Sequence, residues 1–140
     1  MPPSTRPSKA PATGHQRTRA DHAAETAEDY VEAIADLLDT RGSCRVVDLA
    51  AQMGVSHVTV VRVVQRLTAE GLVDTQPYKP LNLTPAGRRL ATACRQRHET
   101  VVAFLRKLGV SAKVAAIDAE GIEHHLSGQT LARMRAFIKD

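Results

Sequence analysis

Aromatic residues and cysteines are scarce in this chain of 140 residues, which has no Trp, two Phe, two Tyr and two Cys. Because bulky aromatic side chains are few, most of the core must be built from Val, Leu, Ile and Ala. Cys44 and Cys94 are too few for a disulfide framework, and no apolar run suggests an export signal or a membrane span. We therefore expect a cytoplasmic protein with no membrane partner, built as one small domain or a domain with a satellite.

Charged residues are segregated along the chain, although the net charge is only +4. Residues 1–20 hold four basic residues and no acid, and residues 21–40 hold seven acids and no Lys or Arg. Residues 41–107 hold eleven Lys and Arg against four acids. The basic central module indicates a polyanionic partner, and the acidic segment beside it could attract cations. Solvated helix faces produce similar charge runs, so charge alone does not decide between the two interpretations.

The N-terminal forty residues divide into an arm and a helix. Residues 1–20 contain four of the seven prolines and almost no apolar side chain, which predicts a disordered basic arm. The next segment is amphipathic, and its spacing predicts a helix over residues 22–40 that stops near Gly42. The apolar stripe of this helix consists of Tyr30, Ile34, Leu37 and Leu38.

A helix–turn–helix pattern with a wing follows. Val46–Met53 is predicted as a short helix, Gly54 as the turn, and Ser56 as the N-cap of a helix that runs to about Glu70. The apolar face of this second helix is Val60, Val64 and Leu67, and its polar face is Thr59, Arg62, Gln65 and Arg66. Two short strands at residues 72–76 and 81–84, around P-Y-K-P, complete the wing.

Three further helices are predicted after the wing. Thr84 followed by Pro85 is typical of a helix start, and this helix should run to about Leu108. Its apolar stripe is Leu90, Cys94, Val101, Leu105 and Leu108. Beyond Gly109, helices are expected at residues 112–126 and 130–139.

The basic charge across the helix–turn–helix and wing predicts double-stranded DNA as a partner. The second helix would enter the major groove with its N-terminal half against the base edges. The candidate base-reading segment is Ser56, His57, Val58, Thr59 and Arg62. Phosphate contacts, which position the protein without specifying sequence, are expected from Arg66, Lys79, Arg88 and Arg89.

Six side chains with metal-binding chemistry occur in three places: Asp29 and Glu32, then His98, then Glu120, Glu123 and His124. In a helix the last three would share an arc of roughly 100°, and the first two would lie one turn apart. Four carboxylates and two imidazoles without a thiolate favour manganese over zinc or copper. Each piece alone is also typical of a solvated helix face or, for His98, of a core histidine. The residue chemistry therefore leaves a shared metal site and a set of unrelated polar residues both open.

The order of the motifs resembles the manganese-transport regulators of the diphtheria-toxin-repressor family. The resembling segments are A-E-D-Y-V-E-A-I, the helix–turn–helix, Y-K-P-L-N-L-T-P-A-G, R-H-E and D-A-E-G-I-E-H-H-L-S. The last motif is highly specific to that family. The resemblance implies that the six residues named above are metal ligands. Iron-responsive relatives carry sulfur at the positions of Asp29 and Glu120, so the carboxylates here resemble the manganese branch.

The resemblance also implies a function and an architecture. We expect a homodimeric transcriptional repressor that binds operator DNA and uses one or two Mn²⁺ ions per protomer as corepressor at manganese-uptake genes. The fold would be mostly α, with an arm at residues 1–20, a winged helix–turn–helix DNA-binding domain at 21–84, and a small helical metal-binding and dimerisation domain at 85–140. Pro80 departs from the family pattern, which usually has Gly at the wing tip.

Other functions stay open at this point. An iron(II)- or zinc-responsive regulator of the same fold would differ only in its metal. A carboxylate-site metalloenzyme is an alternative of another class. No nucleophile or acid–base constellation accompanies the cluster, and the helix–turn–helix would then have no role, so we do not expect an enzyme. A metal-independent regulator would leave the acidic clusters as ordinary surface.

Overall fold

The computed structural model describes residues 12–140, and side chains from Arg19 onwards. The helices and strands, in chain order, are α1 (Ala12–Arg41), α2 (Val46–Met53), α3 (His57–Ala69), β1 (Val73–Asp74), β2 (Asn82–Leu83), α4 (Pro85–Lys107), α5 (Ala112–Ile122), a 3₁₀ turn (Glu123–His125) and α6 (Gly128–Lys139). The predicted mostly α class and the helix–turn–helix with its wing are confirmed.

Helix α1 begins earlier than the sequence pattern predicts, at Ala12 rather than at residue 22. No proline lies between Pro11 and Pro77, and the intervening residues include good helix formers, so nothing interrupts the helix before its apolar stripe begins. Residues 1–11 of the predicted arm lie outside the described residues. Residues 12–20 belong to α1.

Helices α2 and α3 form the predicted helix–turn–helix. Gly54 lies between them with a φ of 67°, a left-handed conformation that favours glycine. The Ser56 side chain caps α3 by accepting a hydrogen bond from the backbone N–H of Thr59. The buried face of α3 packs into a core shared with α1 and α2, whose most buried members include Ile34, Leu49, Val60 and Leu67. The β-branched run in α3 is therefore held by tertiary packing rather than by helix propensity.

The wing is smaller than predicted. Its two strands pair antiparallel over only two residues each, with Val73 opposite Leu83 and Asp74 opposite Asn82. Pro77 and Pro80 cannot donate to a strand ladder, which limits pairing towards the tip. The sequence pattern did not anticipate a further bridge, in which the backbone N–H of Leu81 donates to the carbonyl oxygen of Cys44.

Helix α4 connects the wing to the C-terminal helices. Thr84 caps it by accepting from the backbone N–H of Gly87, and Pro85 occupies its first position, as predicted. An added Cβ at Gly87 would lie 2.1 Å from the backbone oxygen of Leu72, so the start of α4 packs directly on the wing backbone. Farther along, Val101 joins Ala119 and Leu131 in a second small core.

Three details differ from the predictions for the C-terminal half. The helix predicted over residues 112–126 ends at Ile122 and continues as the 3₁₀ turn, and α6 begins at Gly128 rather than at residue 130. Leu108, predicted to belong to the apolar stripe of α4, is 57% exposed. Leu108 follows the last residue of α4 as its C-cap, where the chain has already left the packed face.

Within the described residues, none of the helices alone has both the length and the apolar composition needed to cross a membrane. Taken together, α2 and α3 meet these criteria by length and composition, but they are bent by 108° where they meet.

Candidate metal centre

A polar cleft of about 790 Å³ lies between α1, α4 and α5. Its lining includes five of the six predicted metal ligands, which are Asp29, Glu32, His98, Glu120 and Glu123. The sixth, His124, contacts two members of this group. Residues separated by up to 95 positions in the sequence are thus brought to one place by the packing of α1 against α4 and of α5 against α4.

His124 is the most connected side chain of the cluster. Its Nε2 lies 3.1 Å from Asp29 Oδ1 and 3.4 Å from Glu123 Oε1, and its ring is almost fully buried. Its other nitrogen, Nδ1, lies 2.6 Å from Glu28 Oε2. Nε2 of His124 therefore lies beside two predicted ligands. Nδ1 contacts the carboxylate of Glu28, which was not predicted from the sequence.

Glu123 joins the two histidines. It is only 2% exposed, and its Oε2 lies 3.0 Å from His98 Nδ1. Glu123 is the first residue of the 3₁₀ turn that follows α5, and its side chain is buried there. Glu120, one turn earlier on α5, is exposed on the wall of the cleft. Glu32 also lines the cleft, close enough to Glu123 and His98 to interact with both electrostatically.

Three polar residues around the cluster were missed from the sequence. Glu25 and Glu28 lie on the same face of α1 as Asp29 and Glu32, at spacings of three and four residues, and this periodicity was the available signal. Ligand atoms of Glu25, Asp29 and His124 lie within 4.8 Å of one another, close enough for all three to hold one ion. Arg97 donates to Glu28 at 2.8 Å. No spacing pattern in the sequence indicated that Arg97 would lie beside the cluster.

The raised pKa values in the cluster reflect burial first and the neighbouring carboxylates second. Burial raises the pKa of Asp29, and nearby Glu25, Glu28 and Glu120 raise it further against the opposing effect of His124. Burial also raises the pKa values of Glu32 and Glu123. For His124 burial alone would lower the pKa, but the hydrogen bond to Glu28 and the neighbouring carboxylates raise it overall. The site therefore holds protons tightly when no other cation is present.

The donors fit a hard divalent cation. Oxygen ligands outnumber nitrogen ligands, no thiolate lies among the cleft-lining residues, and several carboxylates lie close enough to raise one another's pKa. Both cysteines are buried elsewhere, Cys44 against the wing and Cys94 on α4.

The predicted DNA-reading segment lies on the surface of the helix–turn–helix. Ser56, His57, Val58, Thr59 and Arg62 are all exposed, and so is Lys79 on the wing. Val58 is 66% exposed, so this face offers an apolar side chain among its polar ones. Tyr78, next to Lys79, is fully exposed with a φ of 63° and is a contact candidate that the sequence reasoning did not select.

Arg66 has an internal partner. Its Nη2 donates to the backbone oxygen of Ala23 on α1 at 3.0 Å, and its Nε lies 3.5 Å from Glu70. Arg88, also predicted as a phosphate contact, donates to Asn82 and remains exposed, and Arg89 is exposed as well. The contact of Arg66 joins the reading helix α3 to the helix that carries Asp29 and Glu32.

A winged helix–turn–helix joined to a partly buried cluster of carboxylates and histidines defines a metal-dependent DNA-binding regulator. Residues 22–81 match the iron dependent repressor N-terminal DNA binding domain, and residues 84–140 match the iron dependent repressor metal binding and dimerisation domain. The chain belongs to the iron-dependent repressor family, whose members are transcriptional regulators and not enzymes.

Individual relatives agree with this assignment. The chain is 44% identical over 126 residues to the transcriptional regulator MntR of Escherichia coli O6:H1, covering 90% of this chain and 81% of the relative. It is 38% identical over 112 residues to the HTH-type transcriptional regulator MntR of Lysinibacillus sphaericus, covering 80% and 81%. A solved manganese-dependent transcriptional repressor in complex with manganese superimposes with a TM-score of 0.72 at 31% identity. That match covers 81% of this chain but only 52% of the solved chain. The resemblance to manganese regulators stated from the motifs is confirmed.

Proposed function

We propose that this protein is a manganese-responsive transcriptional repressor that binds operator DNA as a homodimer in the cytoplasm. The observation that supports this most directly is the cluster of Asp29, Glu32, His98, Glu120, Glu123 and His124. It is rich in oxygen ligands and includes carboxylates at positions 29 and 120. Relatives described as manganese-dependent or as MntR support the same metal.

The predicted ligands would act by holding α1 against the C-terminal helices. Carboxylates on α1 face Glu120 and Glu123 across the cleft, and like charges at this separation repel one another. A bound divalent cation supplies positive charge that offsets this repulsion. With α1 held in place, the reading helix α3 is also oriented, because α1 and α3 contribute to one core and Arg66 donates to Ala23. Less ordering then remains when the protein meets DNA, so affinity rises.

An apolar surface on α5 supports the homodimer. Val114, Ile117 and Ile122 are between 38% and 62% exposed, and they belong to the segment that matches a dimerisation domain. Pairing of this face with its copy would remove apolar area from water. Two reading helices would then address half-sites about one helical turn, ~34 Å, apart.

The test is DNA binding by the purified full-length chain to the promoter regions of manganese-uptake genes, with manganese, iron(II), zinc or chelator present. Manganese should increase affinity most at the free concentrations found in cells, and chelator should abolish the increase. Equal binding in chelator and manganese would contradict the proposal. Stronger activation by iron(II) or zinc would support a regulator of another metal. Isothermal titration with Mn²⁺ would count one or two ions per protomer.

A further inference from the structure

A network of three side chains lies behind the metal cluster. Glu28 on α1 accepts hydrogen bonds from His124 Nδ1 at 2.6 Å and from Arg97 Nη2 at 2.8 Å, and both donors meet the same carboxylate oxygen, Oε2. Arg97 also donates to the sulfur of Cys94 at 3.3 Å. The network therefore joins α1, α4 and the 3₁₀ turn at one oxygen atom.

Glu28 is more buried than Asp29, its neighbour on α1. The Glu28 side chain is 15% exposed and Arg97 is 20% exposed, whereas Asp29 is 44% exposed. Glu28 does not line the cleft. A buried carboxylate needs compensating donors, and Arg97 and His124 supply them. The Glu28 carboxylate is thus already neutralised by side chains of the protein, as expected of a structural residue more than of a metal ligand.

The geometry at His124 explains why such a residue matters. A neutral imidazole that donates through Nδ1 carries its free electron pair on Nε2, and Nε2 is the atom that faces Asp29 and Glu123. If Glu28 did not accept from Nδ1, either ring nitrogen could carry the proton and the ring would lose the contact that orients it from this side. A metal-binding histidine is generally oriented by a partner of this kind.

We infer that Glu28, held by Arg97, is a positioning residue that fixes the tautomer and orientation of His124 so that Nε2 is presented to the metal. This inference rests on the proposed function, because it assumes that the cluster binds Mn²⁺. It assigns to Glu28 a role outside the ligand set, although its carboxylate lies close to His124 and on the same face of α1 as Asp29.

Two variants of nearly equal size test the inference in the full-length chain. Glu28→Gln retains an oxygen that can accept from both His124 and Arg97, and Glu28→Met removes the acceptor. Asp21→Asn is the matched control, because it removes the same charge from an exposed position two turns earlier on α1. Binding of Mn²⁺ is followed by titration calorimetry and by loss of the free-ion electron paramagnetic resonance signal, without DNA. Thermal unfolding in chelator reports the fold.

Glu28→Met should bind Mn²⁺ roughly 10–100-fold more weakly while binding the same number of ions. Glu28→Gln should recover most of that affinity, and Asp21→Asn should match the unmodified chain. Wild-type affinity in a folded Glu28→Met variant would overturn the assignment, as would a Gln variant as weak as the Met variant. A lower ion count in either variant would instead make Glu28 a ligand and overturn it too. If Glu28→Met does not fold, Glu28→Ala removes the acceptor in its place and is compared with Glu28→Gln and Asp21→Asn by the same criteria. Absence of Mn²⁺ binding by the unmodified chain would overturn the proposed function along with the assignment.

Discussion

Individual residues in this protein take their chemistry from where they are buried. Asp29 and Asp21 are the same residue type on the same helix, but Asp29 faces other carboxylates and a histidine while Asp21 is exposed. Similarly, His98 and His124 meet the buried Glu123, whereas His125 is exposed and lies 3.5 Å from Glu25. Neighbours contributed by other helices, more than residue type, decide which side chains can serve as ligands.

The two cysteines show how burial changes the pKa of a side chain outside the metal cluster. Burial raises the pKa of Cys44 to about 11, with a further contribution from Asp48, and burial raises that of Cys94 to about 11, with Glu28 adding to it. At pH 7 the reactive thiolate would be roughly one part in ten thousand. We predict that iodoacetamide modifies both residues about 100-fold more slowly in the folded chain than in urea, as followed by mass spectrometry. Similar rates in both states would show that the thiols are accessible in the native protein.

The predicted ligand positions 29 and 120 offer a test of metal preference. Sulfur ligands are softer than carboxylates and favour the later transition metals. The double change Asp29→Met with Glu120→Cys should keep the fold, because neither side chain is fully buried. It should weaken Mn²⁺ activation of DNA binding by about tenfold or more and relatively favour iron(II) or cobalt. DNA affinity across a metal series measures this for both proteins. Superimposable activation profiles would remove the two residues from the ligand set.

At the scale of elements, the sequence patterns predicted most helices because caps and apolar stripes are local signals. Ser56 and Thr84 accept the expected capping hydrogen bonds, and α2 has the predicted limits. The wing strands were predicted too long because their pairing depends on partners distant in sequence, including Cys44 opposite Leu81. The 3₁₀ turn at Glu123 was missed for a different reason, because its sequence is also compatible with a continuous α-helix.

The same division applies to the candidate site. Residues with a helical spacing, such as Asp29 and Glu32, could be selected from the sequence together with the family motif. Glu28 shares this spacing, but Arg97 does not, and the contact between the two joins α1 to α4, which no local pattern records. The cluster is thus predictable in its composition but not in its hydrogen bonds.

Packing of α4 against the wing predicts a strong effect at one glycine. A methyl group at Gly87 would overlap the backbone oxygen of Leu72, which cannot move as a side chain can. Gly87→Ala should therefore lower the free energy of unfolding by about 1–3 kcal/mol, measured by urea denaturation. The control is Gly128→Ala at the start of α6, where a Cβ meets nothing within 4 Å and the change should stay within about 0.5 kcal/mol. Equal stability of the two variants would contradict the close approach.

At the scale of the whole molecule, charge and coupling are distributed over the chain. Acidic residues of α1 line the cleft. Most basic residues lie in the sequence from residue 41 to residue 107, and four more lie in residues 1–20. Helix α1 is the common element, since it packs against both α2 and α4 and accepts the hydrogen bond from Arg66. The shared core and the hydrogen bond from Arg66 are therefore the contacts that connect α1 to α3.

The basic N-terminal segment predicts a contribution to DNA affinity that is separate from metal binding. Deleting residues 1–20 removes Arg6, Lys9, Arg17 and Arg19 but leaves Ala23, the partner of Arg66. The fold and Mn²⁺ binding should persist, while non-specific DNA affinity falls. The salt dependence of log K should become shallower by about 0.9 for each DNA phosphate that the deleted residues would have neutralised. An unchanged slope over a salt series would show that the segment does not bind phosphates.

The pKa shifts of the cleft predict how stability depends on pH with and without manganese. Asp29, Glu32, Glu123 and His124 all have raised pKa values in the folded protein. A group with a raised pKa holds its proton more tightly when folded. Its contribution to stability is therefore complete below its ordinary pKa and is lost as the pH rises through the raised value. Because all four shifts have the same sign, the metal-free protein should lose stability progressively from about pH 4 to beyond pH 6.5.

Protons compete with Mn²⁺ for the same atoms, so the stabilisation by excess Mn²⁺ should grow over that range. Thermal unfolding across pH, in chelator and in Mn²⁺, measures both trends, and Glu32→Gln should make the chelator curve flatter. Parallel curves in the two conditions would mean that these carboxyl and imidazole groups do not bind the metal.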